Sequence, residues 1–140
     1  MSASYLIPPL VAWTIAQAIK VVVQSIRDRS LNLRVWAAMG GMPSSHSALV
    51  MALTTAVGRI NGVGSAAFAV ALIFSFVVMY DAAGVRRAVG RQAAILNRLV
   101  VDLVDHRGGS TEERLRELLG HTPVEVLAGA ALGIAIGLVV

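Results

Sequence analysis

The chain has 140 residues and a net charge of +4, and 56% of its residues are hydrophobic while only 14% are charged. Soluble domains carry about 25% charged residues, so this composition predicts a membrane protein with a single domain, residues 1–140. The apolar content excludes a disordered chain, the absence of cysteine excludes a disulfide scaffold, and 5% aromatic residues among long apolar runs argue against nucleic-acid binding.

Four apolar stretches are candidates for membrane-spanning helices, which need about 17–25 mostly apolar residues. They are residues 4–26, 47–60, 65–80 and 123–140. The first lacks the basic start and the cleavage site of a signal peptide, so we expect it to be retained. The turn residues Asn61, Gly62 and Gly64 between the short middle pair are typical of a tight helical hairpin. The sequence therefore predicts an all-α integral membrane bundle of about four transmembrane helices.

Residues 81–120 change from apolar to amphipathic. Apolar residues recur at helical spacing on one side and charged residues fall on the other. The apolar set is Val85, Val89, Leu96, Leu99 and Leu103, and the charged set is Arg87, Arg91, Arg98, Asp102 and Asp105. This pattern predicts an amphipathic helix, either at the membrane interface or against the bundle. Ser110 and Glu113 then match a capping box for a short helix that ends at Gly120.

The arginines are distributed unequally between the two ends of the predicted spans. Ten lie on one side, and Arg59 alone lies near the other. The ten are Arg27, Arg29, Arg34, Arg86, Arg87, Arg91, Arg98, Arg107, Arg114 and Arg116. The positive-inside rule makes this side cytoplasmic and places both termini outside.

A polar stripe runs along the first predicted helix. Gln17, Lys20, Gln24 and Arg27 are spaced 3, 4 and 3 residues apart and share one face. A central lysine in a spanning helix costs about 2.5–3.5 kcal/mol on insertion scales. Lys20 therefore either reaches the headgroups from the helix end or faces the bundle as a cation for an anion or a carboxylate.

The segment GGMPSSH, residues 40–46, leads directly into the second apolar stretch. Its glycines, the hydroxyls of Ser44 and Ser45 and the free N–H groups of a helix N-terminus are typical of an anion site, with His46 in the first turn. The alternative is a serine N-cap after a flexible loop, in which His46 has no chemical role.

The segment GHTPVE, residues 120–125, enters the last predicted helix. Thr122, Pro123 and Glu125 fit the N-cap, N1 and N3 positions of a capping box. Glu125 also follows His121 by four residues, so it can accept a hydrogen bond from one ring nitrogen and leave the other free. That arrangement orients a nucleophilic or basic histidine, and one carboxylate has enough acceptor sites for both tasks.

Asp81, Arg86 and Arg87 follow the third apolar stretch. Arginine forks suit phosphate oxygens, although membrane anchoring is the simpler interpretation of either arginine alone. No set of His, Asp and Glu has metal-ligand spacing, and no Walker or dinucleotide glycine motif is present, so we expect neither a metal nor a cofactor.

In the four-span arrangement the polar candidates emerge at one membrane face. They are Lys20, His46, Asp81, Arg86, Arg87 and His121. Two histidines and several cations at a helix-capped anion site suit phosphoryl transfer, in which one histidine attacks phosphorus and the other protonates the leaving oxygen.

Three motifs resemble those of the type-2 phosphatidic acid phosphatase superfamily, which is shared with vanadium haloperoxidases. They are Lys20 with Arg27, PSSH at residues 43–46 and HTPVE at residues 121–125. More closely, the strings GGMPSSHSA, DAAGVRR and LGHTPVEV resemble the divergent branch of small bacterial and plastid membrane proteins. This resemblance covers nearly the whole chain.

The resemblance implies a metal-independent phosphatase of a bacterial inner or plasma membrane that works through a phosphohistidine. By position, His121 would be the nucleophile, Glu125 its orienting carboxylate and His46 the general acid. Lys20, Ser45 and an arginine would hold the phosphate, with Ser44 beside them and Asp81 in support.

The chain departs from the superfamily pattern at several positions. Leu115 stands where the third motif has an arginine, Glu125 replaces the usual aspartate, and Ser45 replaces a glycine. Arg29 competes with Arg27 for the first motif, and Arg86 competes with Arg87 as a phosphate ligand.

The predicted function is hydrolysis of a phosphomonoester or diphosphate on a membrane lipid. Phosphatidic acid, phosphatidylglycerol phosphate and polyprenyl diphosphate are the candidate substrates, and the sequence does not separate them. The alternatives are a non-catalytic membrane protein that binds anionic lipid headgroups and, less favoured, a proton-coupled transporter subunit that uses Lys20 and Asp81. Pairing of two copies would shield the polar face of so small a bundle.

Overall fold

A computed structural model describes residues 3–29, 41–105 and 121–140, and every regular element in these ranges is an α-helix. The helices are α1 (Ala3–Asp28), α2 (Ser45–Asn61), α3 (Ala66–Ala83), α4 (Val85–Asp105) and α5 (Pro123–Val139). They confirm the predicted all-α class and the separate helix after residue 81. The predicted capping box at Ser110, the helix end at Gly120 and the arginines at 34, 107, 114 and 116 lie outside the described residues.

In the part of the chain that the structure describes, two stretches are long and apolar enough to cross a membrane. They are Ser4–Ile26 in α1 and Ala66–Val100, which takes α3 together with most of α4. The apolar helix α5 is shorter, with 17 residues, and α2 has the same length.

Local capping decides where three helices begin. The hydroxyls of Ser44 and Ser65 accept from backbone N–H groups three residues on, and Thr122 does the same in a complete capping box with Glu125. Because Ser44 is the N-cap, α2 begins at Ser45, two residues earlier than predicted. The predicted turn is confirmed at Gly62, which ends α2 at a φ of 83° that favours glycine.

The helix α2 is the centre of the bundle and contacts α1, α3 and α5. Its Ala48 and Ala52 form a small-residue core with Ala12 and Ala16 of α1, against which two larger side chains of α5 pack. Small side chains let helix backbones approach closely, and in a bilayer such packing is a main source of helix association.

Three glycines of α5 bring its backbone onto α2. A Cβ added at Gly129, Gly133 or Gly137 would overlap the carbonyl oxygens of Ser44, Ala48 and Ala52 respectively. These glycines recur every fourth residue, so they form one stripe along α5. Only hydrogen at these positions permits the observed spacing of α2 and α5.

Polar contacts fix the end of the bundle opposite to Lys20. The Tyr5 hydroxyl donates to Asn61 Oδ1 at 2.9 Å, and Arg59 Nη1 donates to the Gly137 carbonyl at 2.8 Å. The start of α1 therefore meets the end of α2, which in turn meets the end of α5. The C-terminal part of α1 and the N-termini of α2 and α5 consequently lie together at the other end.

Candidate active site

Lys20 points into the bundle. Its Nζ donates to Ser45 Oγ at 3.1 Å, and the two residues are only 4% and 3% exposed. The backbone of Gly41 also passes beside the Lys20 stem. Lys20 therefore faces the bundle and does not reach the headgroups. Its role as a cation for a bound anion stays a prediction.

The start of α2 carries Ser44, Ser45 and His46 in adjacent positions. Ser44 is buried, and its Oγ accepts from Ser47 N at 3.4 Å, so the predicted N-cap is present. His46 lies in the first turn, as expected. The same short segment places both the cap and the histidine. The capping interpretation explains why Ser44 stands at this position, but it does not explain why His46 follows it.

His121 is buried and is held through both its ring and its backbone. Its Nδ1 lies 3.3 Å from Glu125 Oε2, and its backbone N–H donates to the Ala82 carbonyl at 3.0 Å. A carboxylate accepts hydrogen bonds, so a neutral His121 ring that donates from Nδ1 to Glu125 keeps the lone pair of Nε2. The predicted geometry of the His121–Glu125 pair is thus confirmed.

Glu125 serves two purposes with one oxygen. Its Oε2 accepts from Thr122 N at 2.9 Å as part of the capping box, and the same atom faces His121 Nδ1. The carboxylate is 21% exposed, and its backbone carbonyl accepts from Ser44 N at 2.9 Å. Glu125 therefore links the nucleophile candidate to the N-cap of α2.

The two histidine rings meet at the interface of α2 and α5. The ring centroids of His46 and His121 lie 6.1 Å apart, with an interplanar angle of 61°. Both rings are close enough to contact a single phosphoryl group between or beside them. The N-termini of α2 and α5 and the Lys20 ammonium add positive potential at the same place.

The end of α3 borders this site. Asp81 is half-buried in its last turn, next to Ala82, whose carbonyl holds the His121 backbone. The side chains of Arg27, Arg86 and Arg87 lie outside the described residues, so their assignment as phosphate ligands stays a prediction. The side chain of Arg29 is exposed at the end of α1.

Two contributions to the site escaped the sequence analysis. The Ala82 carbonyl left no sequence signal, because any residue supplies it. The glycine stripe did leave one, since a glycine at every fourth residue of an apolar helix is a known signal of close helix packing. Within the described ranges, no three His, Asp or Glu side chains cluster as metal ligands would.

Comparison with known proteins identifies the lineage of this arrangement. Residues 1–136 match the sequence profile of the Divergent PAP2 family. The chain belongs to that family. It is also 44% identical over 144 residues to the uncharacterized membrane protein YuiD of Bacillus subtilis (strain 168), with 96% of this chain and 91% of YuiD covered. No solved structure matches the chain.

Membership of the Divergent PAP2 family confirms the resemblance identified from the three sequence motifs. It supports a phosphatase-related function at the coarse level. The family is a divergent branch and YuiD is uncharacterized, so neither similarity assigns a substrate to this chain.

Proposed function

We propose that this protein is a membrane lipid phosphatase that removes a phosphate from a phosphomonoester or diphosphate through a phosphohistidine. The observation that carries the proposal is the pairing of His121, held by Glu125, with His46 at a ring separation of 6.1 Å, beside the buried Lys20. A purely structural pair of histidines would need neither an orienting carboxylate nor a neighbouring cation.

In the first step, the lone pair of His121 Nε2 attacks phosphorus and the bond from phosphorus to the lipid oxygen breaks. His46 donates its proton to that departing oxygen. In the second step, water attacks the phosphohistidine, His46 takes the proton of the water, and the P–N bond breaks to release inorganic phosphate. The chain's own groups supply the nucleophile, acid and base, and no metal enters either step.

Charge stabilisation comes from groups that are in place before the substrate arrives. Lys20 is fixed by Ser45, and the N–H groups at the starts of α2 and α5 face the same end of the bundle. Such preorganised donors lower the energy of the charge that develops on the phosphoryl oxygens. One or more of the arginines at 27, 86 and 87 would complete the phosphate site.

The proposal places α1, α2, α3 and α5 across a bacterial inner membrane. It is supported by the apolar α1 and α3, by the close small-residue packing of α2 on α5, and by the membrane-protein name of the relative YuiD. The excess of arginine on the His46 side makes that face cytoplasmic. Inner-leaflet substrates such as phosphatidic acid or phosphatidylglycerol phosphate are therefore favoured over a diphosphate displayed outside.

Orientation is tested with single cysteines in this cysteine-free chain. An impermeant thiol reagent added to intact cells should label a cysteine at Gly62 but not at Ser30 or Gly108. The reverse labelling would overturn the orientation and the substrate preference, while the roles of His46 and His121 would stand.

The catalytic proposal is tested by phosphate release from a panel of lipid phosphates in detergent micelles. His121→Ala should abolish release, with a loss above the roughly 10²–10⁴-fold expected for general acid–base help alone. His46→Ala should lose less activity on a substrate with a good leaving group. His106, the third histidine of the chain, belongs to none of the three motifs, so His106→Ala is the matched control that should retain activity. Equal small losses at positions 46 and 121 would show that neither histidine is the nucleophile.

Two further measurements address the phosphohistidine and the alternative function. Activity should survive a chelator and be inhibited by vanadate, and an acid-sparing quench should trap phosphate on His121. Strict dependence on added Mg²⁺ would overturn this mechanism in favour of carboxylate-bound metal. Binding of phosphate without turnover in the unmodified protein would favour the non-catalytic lipid-binding alternative.

A further inference from the structure

The amphipathic helix α4 buries a face that does not carry its large apolar residues. Among residues 88–100, whose burial the structure describes, the buried ones are Gly90, Ala93 and Asn97, which recur at helical spacing and are small or polar. They lie about 60–120° around the helix from Leu96, given about 100° per residue. The apolar face that the sequence pattern predicts is thus not the face that is buried.

The large apolar side chains that the structure describes in α4 are exposed instead. Val89, Leu96 and Leu99 are 45%, 49% and 51% exposed, and they lie within about 80° of one another around the helix. Among the described helices, α4 contacts only α3, from which it continues at Gly84. The leucine face of α4 is therefore free of every other described helix.

Arg91 and Arg98, the charged residues of α4 whose side chains the structure describes, lie on the opposite side from this apolar face. Arg91 and Arg98 are both exposed, and Arg98 is about 200° around the helix from Leu96. An apolar face and a basic face about half a turn apart are the pattern of a helix that lies in the plane of a membrane interface.

The helix that precedes α4 indicates what covers the leucine face. In α3 the side chains of Phe74, Val77 and Tyr80 are 55%, 61% and 77% exposed, so this helix presents apolar surface up to its end. The chain passes from α3 to α4 across the single residue Gly84. The medium that covers α3 therefore reaches the first turn of α4.

We infer that α4 lies on the bilayer surface, with Val89, Leu96 and Leu99 among the acyl chains and Arg91 and Arg98 directed at anionic lipid headgroups. The occupant of the leucine face is the lipid bilayer rather than a second copy of this chain. A bilayer accounts for both faces at once, because acyl chains cover the leucines while lipid phosphates neutralise the arginines.

This placement has a consequence for the candidate site, and here it rests on the proposed function. The Ala82 carbonyl holds the backbone of His121, and α4 begins only three residues later at Val85. A helix fixed at the depth of the headgroups would hold the end of α3, and with it His121, at the depth where a lipid phosphate lies.

The inference is tested with nitroxide labels on single cysteines in the full chain, reconstituted in vesicles of phosphatidylcholine with phosphatidylglycerol. Labels at Leu96 and Leu99 should collide more with oxygen, which concentrates among acyl chains, than with a water-soluble nickel chelate. Labels at Arg91 and Arg98 should show the opposite preference. A label at Phe74 of α3 is the control for insertion of the bundle.

Each outcome separates the inference from the membrane proposal. If Phe74 collides with oxygen but Leu96 and Leu99 prefer the nickel chelate, α4 is not on the bilayer and the inference is wrong. If the leucine labels are shielded from both agents and couple magnetically between copies, a second chain covers the face and the inference is also wrong. If Phe74 itself prefers the nickel chelate, the membrane placement fails as a whole.

The anionic preference has a separate test. Spin-labelled phosphatidylglycerol and phosphatidylcholine report how strongly each lipid associates with the reconstituted protein. Replacing Arg91 and Arg98 with glutamine should lower the preference for phosphatidylglycerol by roughly fivefold per arginine, which corresponds to about 1 kcal/mol each. An unchanged preference would show that these arginines do not contact the headgroups.

Discussion

Replacing Gly129 with alanine tests whether the close packing of α2 on α5 holds the two histidines together. A Cβ at this position would lie 3.0 Å from Ser47 Cβ and from the Ser44 carbonyl carbon, with the Ser44 oxygen nearer still. Ordinary contacts between carbon atoms are about 3.5–4.0 Å, so the two backbones must separate by about 0.5–1 Å. Rotation of a side chain cannot relieve the overlap, because its nearest partners are backbone atoms.

The displacement falls on atoms that position the candidate site. Ser44 caps the helix that bears His46, and its N–H donates to the Glu125 carbonyl, one helical turn before Gly129. A misplacement of about 1 Å in an active site can cost roughly 100-fold in rate, while overpacking costs about 1–3 kcal/mol of stability. We expect Gly129→Ala to lose about 100-fold in phosphate release although most of the protein stays folded.

Gly133→Ala and Gly137→Ala are matched controls on the same stripe of α5. At Gly137 the added Cβ would lie 2.7 Å from Thr55 Cβ and 2.9 Å from the Ala52 oxygen, so the methyl group enters the same interface. Gly137 lies about 12 Å further along α5 than Gly129, in the direction away from the histidines. The three variants should lose similar stability, whereas the loss of activity should decrease from position 129 to 137.

The assay combines initial rates of phosphate release with thermal unfolding of the same micellar samples. Equal losses of activity in the three variants, after correction for the folded fraction, would refute the positional argument. Unchanged unfolding in Gly129→Ala would show that α2 and α5 do not approach as described. Gly64→Ala sets the baseline, because a Cβ there meets nothing within 4 Å.

Three other substitutions separate charge, capping and packing. Ser45→Ala removes the oxygen that Lys20 Nζ contacts at 3.1 Å, so we expect phosphate binding to weaken by roughly tenfold, within the 1–3 kcal/mol of a lost buried partner. Ser45→Thr should restore binding, and equal binding in the unmodified protein and both variants would contradict a positioning role for Ser45. Glu125→Gln keeps a residue that suits the capping box but removes the charge beside His121 Nδ1. Phosphate release should therefore fall by about 100-fold or more while the unfolding temperature changes little. A large stability loss with normal turnover would show instead that Glu125 serves the helix and not the histidine. Thr54→Val removes a buried hydroxyl that contacts Ser75 Oγ at 2.7 Å between α2 and α3, and it should cost about 0.6–1.7 kcal/mol of stability. Its specific activity should be unchanged, since Thr54 lies about 12 Å along α2 from His46. Reduced turnover per folded molecule would show that the Thr54–Ser75 contact affects the candidate site.

The limits of the helices could be predicted because their signals are local. The capping box at Thr122 and Glu125 and the glycine turn at Gly62 act within a few residues of chain. The same is true of the His121–Glu125 pair, which one turn of helix brings together. These features need no knowledge of which helix packs against which.

The glycine stripe shows where such reasoning stops. The spacing of Gly129, Gly133 and Gly137 is visible in the sequence, but its meaning depends on the partner helix that supplies the opposing carbonyls. The helix α4 is a second example. Its amphipathic pattern predicts a helix with an apolar face, yet only the folded chain shows that the buried face is the one with Gly90 and Ala93.

The sequence by itself therefore determined the helices, their caps and the set of residues able to handle a phosphate, because hydrophobic periodicity and capping are short-range effects. Only the tertiary structure decided that Lys20 turns inward to Ser45 and that His121 is held by the Ala82 carbonyl. Both contacts join residues far apart in the chain. Their partners are selected by the close packing of α1, α2, α3 and α5, in which a buried ammonium or N–H group must find an acceptor inside the protein because water does not reach it.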